Sequence, residues 1–168
     1  MIILMAGLPG TGKSTLAHVL AESTGGCVLS KDQIRAALFA PEDIEYSTAQ
    51  DDFCMEVMLQ ASFFLLKKNS ERKVFLDGRT FSRRYQIDKV LALAANLAQP
   101  WVILECTCSE ESALRRLQVD ADHPARNRNF DLYLEVKARF ETIEYRKTVV
   151  DTDEPLEECV RLARLQMS

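Results

Sequence analysis

The sequence predicts an α/β protein in which a parallel β-sheet is covered by helices on both faces. Short apolar segments alternate along the chain with longer segments of helical periodicity, the pattern of successive βαβ units. Gly7, Lys31, Asp77 and Asp151 each follow or end a predicted strand. Because such sheets bind ligands beyond the carboxyl ends of their strands, we expect a ligand crevice at that edge. The 168 residues fit one domain.

The first quarter of the chain predicts two strands and two helices. Residues 2–6 form an apolar run that ends at a glycine, as a buried central strand does. Residues 14–24 have helical spacing of their apolar side chains, and two glycines end the helix. Residues 27–30 are a second strand. A short helix over 32–39 ends before Pro41, because the residue preceding a proline disfavours helical geometry.

A long helix, a strand and a further helix follow. The strand over residues 73–77 ends in an aspartate and a glycine, and 82–98 has helical character. The long helix spans 48–68, and spacing along it assigns one apolar stripe to the core. The residues of that stripe are Phe53, Val57, Ala61, Phe64 and Leu65.

The last part of the chain repeats the alternation. A proline introduces the fourth strand, residues 101–106, and Ser109 caps a helix that runs to about residue 119. Residues 120–129 are polar and contain a proline, so they form a loop, and 130–145 is helical. The chain closes with a strand and a helix, over residues 148–151 and 155–166.

Composition excludes several classes of protein. The net charge is −4, which does not fit a dedicated nucleic-acid binder but leaves room for a local basic groove. The five cysteines are scattered, so neither a zinc site nor a redox pair is expected. No apolar run is long enough to span a membrane, and the first residues lack the features of a secretion signal, so a cytoplasmic location is expected.

The loop between the first strand and first helix predicts nucleotide binding. It fits the pattern G-x-x-x-x-G-K-S/T at every fixed position, in the strand–loop–helix context that the pattern requires. Its backbone amides would cradle phosphates, Lys13 would reach the β- and γ-phosphates, and Ser14 would ligate Mg²⁺. The residues assigned to this site are Gly7, Leu8, Pro9, Gly10, Thr11, Gly12, Lys13, Ser14, Thr15 and Arg116. The alternative is a flexible turn.

Acidic and basic residues after the second and third strands are candidates for the acceptor side. Asp32 is placed to orient a hydroxyl and take its proton, although it could instead cap the following helix. Arg35 lies three residues on and could grip an anionic group. Asp77 ends a hydrophobic strand and could hold Mg²⁺ through water, bind acceptor hydroxyls, or only cap the loop that follows. Arg79 and Arg83 follow it at the rim of the crevice.

The P-loop followed by Asp32-x-x-Arg35 resembles P-loop kinases related to polynucleotide 5′-hydroxyl kinase, chloramphenicol phosphotransferase and the zeta-toxin kinases. The resemblance implies a P-loop NTPase fold with sheet order 2-3-1-4-5, ATP and Mg²⁺ as cofactors, and Asp32 as general base. It also implies a lid, here about residues 120–129, whose Arg126 and Arg128 close over the phosphates. The short lid and the run after Asp77 depart from the family pattern and put the acceptor in doubt.

Three functions stay open at this level. The first is a kinase that phosphorylates a hydroxyl of a small-molecule or nucleotide-like acceptor. The second is a polynucleotide 5′-kinase, which the acidic residues within 41–52 disfavour because a polyanion would avoid such a rim. The third is an ATP-binding module without an acceptor. No membrane partner is expected, and the sequence leaves the oligomeric state open.

Overall fold

A parallel sheet forms the centre of the protein. A computed structural model describes residues 1–119 and 129–167. The described residues form five strands in the order β2-β3-β1-β4-β5, and every neighbouring pair is parallel. This order confirms the predicted fold. The strands are β1 Ile2–Ala6, β2 Cys27–Ser30, β3 Val74–Asp77, β4 Trp101–Thr107 and β5 Thr148–Asp151.

Seven α-helices connect and follow these strands within the described residues. Several begin where the sequence supplies a capping side chain: Ser30 and Ser47 accept hydrogen bonds from backbone amides in the first turns of their helices. The helices are α1 Lys13–Thr24, α2 Lys31–Leu38, α3 Thr48–Lys68, α4 Arg84–Asn96, α5 Glu110–Val119, α6 Phe130–Ala138 and α7 Leu156–Arg164. Among them, none is both long and apolar enough to cross a bilayer.

Alternate residues of β1 build the cores on the two sheet faces. Ile2 and Leu4 pack against α3 and α4, whereas Ile3 and Met5 pack against α1 and α7. All four side chains are fully buried. Each contributes about 1.5–3 kcal/mol relative to an exposed position. Because both faces of β1 are packed, this central strand fixes the position of the loop that follows it.

The apolar face predicted for α3 is wrong at Phe53 and Phe64, whereas Leu65 packs against the core. Phe53 is 53% exposed and Phe64 is 67% exposed. The helix is apolar around much of its circumference, so spacing alone did not determine which stripe faces the sheet. The side chains buried along α3 are instead Gln50, Cys54, Met55, Met58, Leu59, Ser62 and Leu66.

The helix predicted over 130–145 ends early, at Ala138. Tertiary contacts compete with helix propensity in the following segment. Ile143 is 5% exposed and joins the core beside α3 and α4. The Glu141 carboxylate accepts a hydrogen bond of 2.8 Å from the backbone amide of Arg84, at the start of α4. These contacts require an irregular path that a continuous helix would not allow.

Candidate active site

A cleft of about 940 Å³ opens at the carboxyl edge of the sheet. The loop after β1 and the first turn of α1 form one end of it, and we call this the phosphate end. Side chains of α2, α3 and the segment after β3 form the other, which we call the acceptor end. The crevice expected at the strand ends is therefore present as one continuous cavity.

Close backbone packing shapes the loop of the phosphate end. Gly7 has φ = 131°, and a Cβ there would lie 2.2 Å from the carbonyl oxygen of Cys106. Its amide donates to the Thr80 carbonyl at 3.1 Å. Only glycine fits this position. Its two contacts hold the loop that follows β1 between the end of β3 and β4. From the loop and the first turn of α1, the residues that line the cleft are Pro9, Gly10, Gly12, Lys13, Ser14 and Thr15.

Lys13 begins α1 and lies at the floor of the phosphate end. Its Nζ donates to the Leu8 carbonyl at 2.6 Å and lies 3.5 Å from the Thr11 hydroxyl. Gly7, Leu8 and Thr11 are not among the residues that line the cleft, so they support the loop from behind. A buried lysine beside a helix N-terminus and a curled loop is suited to bind phosphate oxygens.

Arg116 joins the loop to the segment after β5. Its guanidinium donates to the Thr152 carbonyl at 2.7 Å and reaches the Gly10 carbonyl at 3.5 Å. Thr152 Oγ1 lies 3.1 Å from the Thr11 carbonyl and 3.0 Å from that of Thr107. The supporting role of Thr152 was missed from the sequence, because it depends on contacts between residues 141 positions apart.

Beside this junction, hydrogen bonds from the Ser112 and Ser109 side chains and the Ser109 amide lower the pKa of Asp153 to about 2. The carboxylate therefore stays charged near Arg116, 3.6 Å away. This pair fixes the Arg116 side chain at the wall of the phosphate end.

Asp32 and Arg35 occupy the acceptor end on the first turns of α2. Ser30 is the N-cap of this helix, so the alternative in which Asp32 caps it is wrong. Asp32 and Arg35 are both buried, 8% and 2% exposed, and Arg35 Nη1 donates to Asp32 Oδ1 at 3.0 Å. Lys31 Nζ lies 3.4 Å from the same oxygen. The carboxylate is thereby held at a fixed position facing the cleft.

Two aspartates at the start of α3 complete this cluster. Asp51 accepts from Lys31 at 2.7 Å, pairs with Arg35, and lies 3.2 Å from Arg79 Nη1. Asp52 accepts from Arg79 Nη2 at 2.7 Å. The sequence interpretation placed both acids at a rim without basic partners. The signal it missed is that α2 and the segment after β3 supply the matching cations across the cleft.

Burial raises the pKa of the Asp51 carboxyl, but the charge and hydrogen bond of Lys31, followed by the charges of Arg79 and Arg35, outweigh burial and lower it overall. Asp51 is consequently ionised throughout the neutral range. Its charge is a permanent part of the acceptor end.

Asp77 lies at the end of β3, in register with Ser30 of β2. It is 3% exposed, and its Oδ1 is buried without a hydrogen-bond partner among the described residues. These residues contain no group of three or more His, Cys, Asp or Glu that could hold a metal alone. Mg²⁺ bound together with nucleotide phosphates needs only one or two protein ligands. Asp77 and the Ser14 hydroxyl fit that requirement.

The remaining predicted arginines differ in placement. Arg83 lines the cleft, but its Nη1 pairs with Glu141 at 2.8 Å, at the rim. Arg115, which the sequence did not assign to the site, also lines the cleft, and its Nη2 lies 3.5 Å from the Ser112 hydroxyl. The predicted lid arginines, Arg126 and Arg128, lie outside the described residues.

Comparison of the sequence with protein families gives one match. A family model described as AAA domain matches residues 2–143 of the chain. No curated protein matches the sequence.

Several solved structures share the fold. A gluconokinase from Sinorhizobium meliloti 1021 has 22% identity and a TM-score of 0.69, over 98% of this chain and 92% of its own. The Mycobacterium tuberculosis APS kinase CysC, in complex with AMPPNP and APS, has 15% identity and a TM-score of 0.72, over 99% and 97%. Kti12 from Chaetomium thermophilum, in complex with ADP-AlF3, has 12% identity and a TM-score of 0.69, over 100% of each chain.

These similarities confirm the P-loop NTPase fold predicted from the sequence. At this level of identity they show shared architecture only. The narrower grouping with polynucleotide kinase, chloramphenicol phosphotransferase and the zeta-toxin kinases stays a prediction.

Proposed function

The chain belongs to the AAA domain family, and we propose that it is an ATP-dependent kinase. It transfers the γ-phosphate of ATP to a hydroxyl of a small-molecule or nucleotide-like acceptor. The observation that carries the proposal is the single cleft in which Lys13 and Asp32 both lie, one at the phosphate end and the other at the acceptor end. The neighbouring gluconokinase and APS kinase, which are kinases by name, support it.

In the proposed reaction, Asp32 orients the acceptor hydroxyl and receives its proton. The hydroxyl oxygen forms a bond to the γ-phosphorus as the bond from phosphorus to the β–γ bridging oxygen breaks, and ADP leaves. Lys13 and Arg116 neutralise charge on the phosphates, and Arg126 and Arg128 are the proposed lid contribution. Their cations stabilise charge that develops on the transferred group.

Two residues that line the cleft would hold Mg²⁺. The Ser14 hydroxyl would be a direct ligand, and Asp77 would bind the ion through water. Bound Mg²⁺ would neutralise charge between the β- and γ-phosphates. The unpartnered, buried Asp77 Oδ1 supports this assignment. Asp77, Arg79 and Arg83 also lie where they could contact the acceptor, and Arg35 positions Asp32.

The two other functions make different demands on the cleft. An ATP-binding module without an acceptor needs no cavity beside Asp32, yet the cleft extends there. A polynucleotide 5′-kinase needs a basic channel to Asp32. The described cations nearest that residue are instead paired with Asp51 and Asp52. The first observation favours a kinase over a module without an acceptor, and the second favours a small acceptor over a polynucleotide.

A phosphate-transfer screen tests the proposal. ATP turnover is measured with and without sugars, nucleosides, phenicol-like and aminoglycoside-like alcohols, and 5′-hydroxyl oligonucleotides. We expect an acceptor to stimulate ADP release and to gain one phosphate. Turnover that no alcohol stimulates, with water as the only acceptor, would instead assign an ATPase module.

The Asp32→Asn variant then tests the assigned base. We expect phosphate transfer to fall by about 10²-fold or more, with Mg²⁺–ATP affinity unchanged within about twofold. Calorimetry measures the affinity, and an exposed Asp43→Asn change in the same chain is the control. Unchanged transfer in Asp32→Asn would reduce Asp32 to a structural partner of Arg35.

A further inference from the structure

The acceptor end contains buried cations that would ordinarily mark an anion site. Arg35 is 2% exposed, Arg79 is 4% exposed and Lys31 is 8% exposed. Arginine pairs bind carboxylates and phosphates well, because the guanidinium fork matches two oxygens. Considered alone, these cations would predict a phosphorylated or carboxylated acceptor.

Asp51 already occupies the anion-binding faces of all three cations. It accepts from Lys31, pairs with Arg35, and lies 3.2 Å from Arg79. Asp52 takes the other terminal nitrogen of Arg79, together with the Tyr85 hydroxyl at 3.2 Å. An acceptor anion would have to displace a covalently attached carboxylate that is held by three cations.

The formal charges of the cluster also balance. Its three cations face three carboxylates, those of Asp32, Asp51 and Asp52. Asp77 adds a fourth carboxylate to the same wall of the cleft. The cluster itself therefore offers an anionic acceptor no net positive charge. Arg83, which also lines the cleft, is paired with Glu141.

The polar atoms that lack partners suit hydroxyl groups. At the acceptor end, Asp77 Oδ1 is a buried acceptor, and Arg35 Nε and Arg79 Nη1 are buried donors, without a hydrogen-bond partner among the described residues, although Arg79 Nη1 forms an ion pair with Asp51. A hydroxyl both donates and accepts hydrogen bonds, whereas an ionised carboxylate or phosphate mainly accepts. The exposed Tyr46 ring, which lies under the Arg35 guanidinium at 5.1 Å, adds an apolar wall to the same space.

We infer that the acceptor is an uncharged, polyhydroxylated small molecule such as a sugar or sugar alcohol, and that Asp51 is the specificity residue that excludes anionic acceptors. This inference rests on the proposed kinase function. Asp51 acts as a fixed counter-charge for Arg35 and Arg79. It leaves Asp32 to orient the reacting hydroxyl while keeping both arginines from binding a carboxylate or phosphate of a competing acceptor.

The test compares matched neutral and anionic ligands on wild type and Asp51→Asn. Calorimetry measures binding of glucose and gluconate to protein saturated with Mg²⁺ and AMPPNP, and transfer assays with ATP use the same pairs along with other sugars and their acids. We expect wild type to bind the neutral members at least about tenfold more tightly than the anionic ones. Asp51→Asn frees Arg35 and Arg79, so gluconate affinity should rise at least about tenfold relative to wild type.

Two further variants keep the test decisive. Glu56→Gln removes the same charge from an exposed position on α3 and should leave the selectivity unchanged. If Asp51→Asn does not fold, Asp52→Asn releases only Arg79 and should give a smaller gain in gluconate binding. Gluconate binding that is the same in wild type and the variants, including no binding in any, overturns the inference.

The outcomes separate the inference from the proposed function. Binding heat does not require phosphate transfer. A gain of gluconate binding in Asp51→Asn without transfer to any alcohol would refute the kinase while supporting the role of Asp51. If the wild-type protein transfers phosphate to sugar acids in preference to neutral sugars, the kinase function is supported and the inference is overturned.

Discussion

The loop of the phosphate end is one continuous segment of backbone, whereas side chains from three separate segments make the acceptor end. Gly7 to Lys13 curl within this loop, and its shape depends on glycine geometry and on contacts with Cys106, Thr80 and Thr152. At the acceptor end, charges from α2, α3 and the segment after β3 meet across the cleft. The phosphate end thus depends on backbone shape and the acceptor end on charge balance. Different substitutions should therefore impair the two ends.

Lys13→Ala should give the largest effect, because it removes the only charge that the loop itself contributes. We expect kcat for phosphate transfer to fall by about 10³-fold, the upper range for loss of one donor to a developing charge. Steady-state kinetics measure it, and Lys89→Ala, an exposed site on α4, is the control. Transfer within about tenfold of wild type would contradict the assignment of Lys13.

Gly7→Ala tests the dependence of the phosphate end on shape. The new Cβ would meet the Cys106 carbonyl oxygen at 2.2 Å, at φ = 131°. We expect the free energy of unfolding to fall by at least about 2 kcal/mol. Urea denaturation measures it. Gly25→Ala is a matched control, since φ is 64° there and no atom lies within 4 Å. A control that loses as much as Gly7→Ala would show that close packing at Gly7 is unimportant.

Asp51→Asn tests the charge balance of the acceptor end, because it removes the carboxylate that Lys31, Arg35 and Arg79 share. Burial raises the Asp51 pKa, but Lys31, Arg79 and Arg35 lower it below the ordinary 3.8. Its folded pKa thus lies below the unfolded one. The ionised carboxylate stabilises the fold above the unfolded pKa, and this contribution is lost as pH falls through the folded pKa.

Urea denaturation from about pH 5 to pH 3 measures this difference. Wild type should lose more unfolding free energy across that range than Asp51→Asn. Glu56→Gln still has Asp51, so it should keep the pH-dependent loss that Asp51 causes. Parallel curves for wild type and Asp51→Asn would show that the Asp51 ion pairs add nothing to the folded state.

The same contrast explains how far sequence reasoning reached. The loop pattern, the strand positions and Asp32 lie in short stretches where composition and spacing carry the signal. The sequence could not show which stripe of α3 faces the core, because Phe53 and Met58 are both apolar and only packing decides which is buried. The ion pairs of Asp51 could not be predicted without knowing that α2 and α3 meet across the cleft. Predictions for Arg126 and Arg128 stay predictions.

Residues beyond the family match support the loop of the phosphate end, because Thr152 contacts both Arg116 and that loop. The family match stops at residue 143, yet Thr152 follows β5 and contacts the Thr11 carbonyl. Beyond it, α7 places Cys159 and Ala163 against α1, the helix that begins with Lys13. A polypeptide trimmed at the family boundary would keep every residue of the glycine-rich motif while losing the support that sets its shape. Gene fusions and truncations of this protein should therefore preserve residues 144–167.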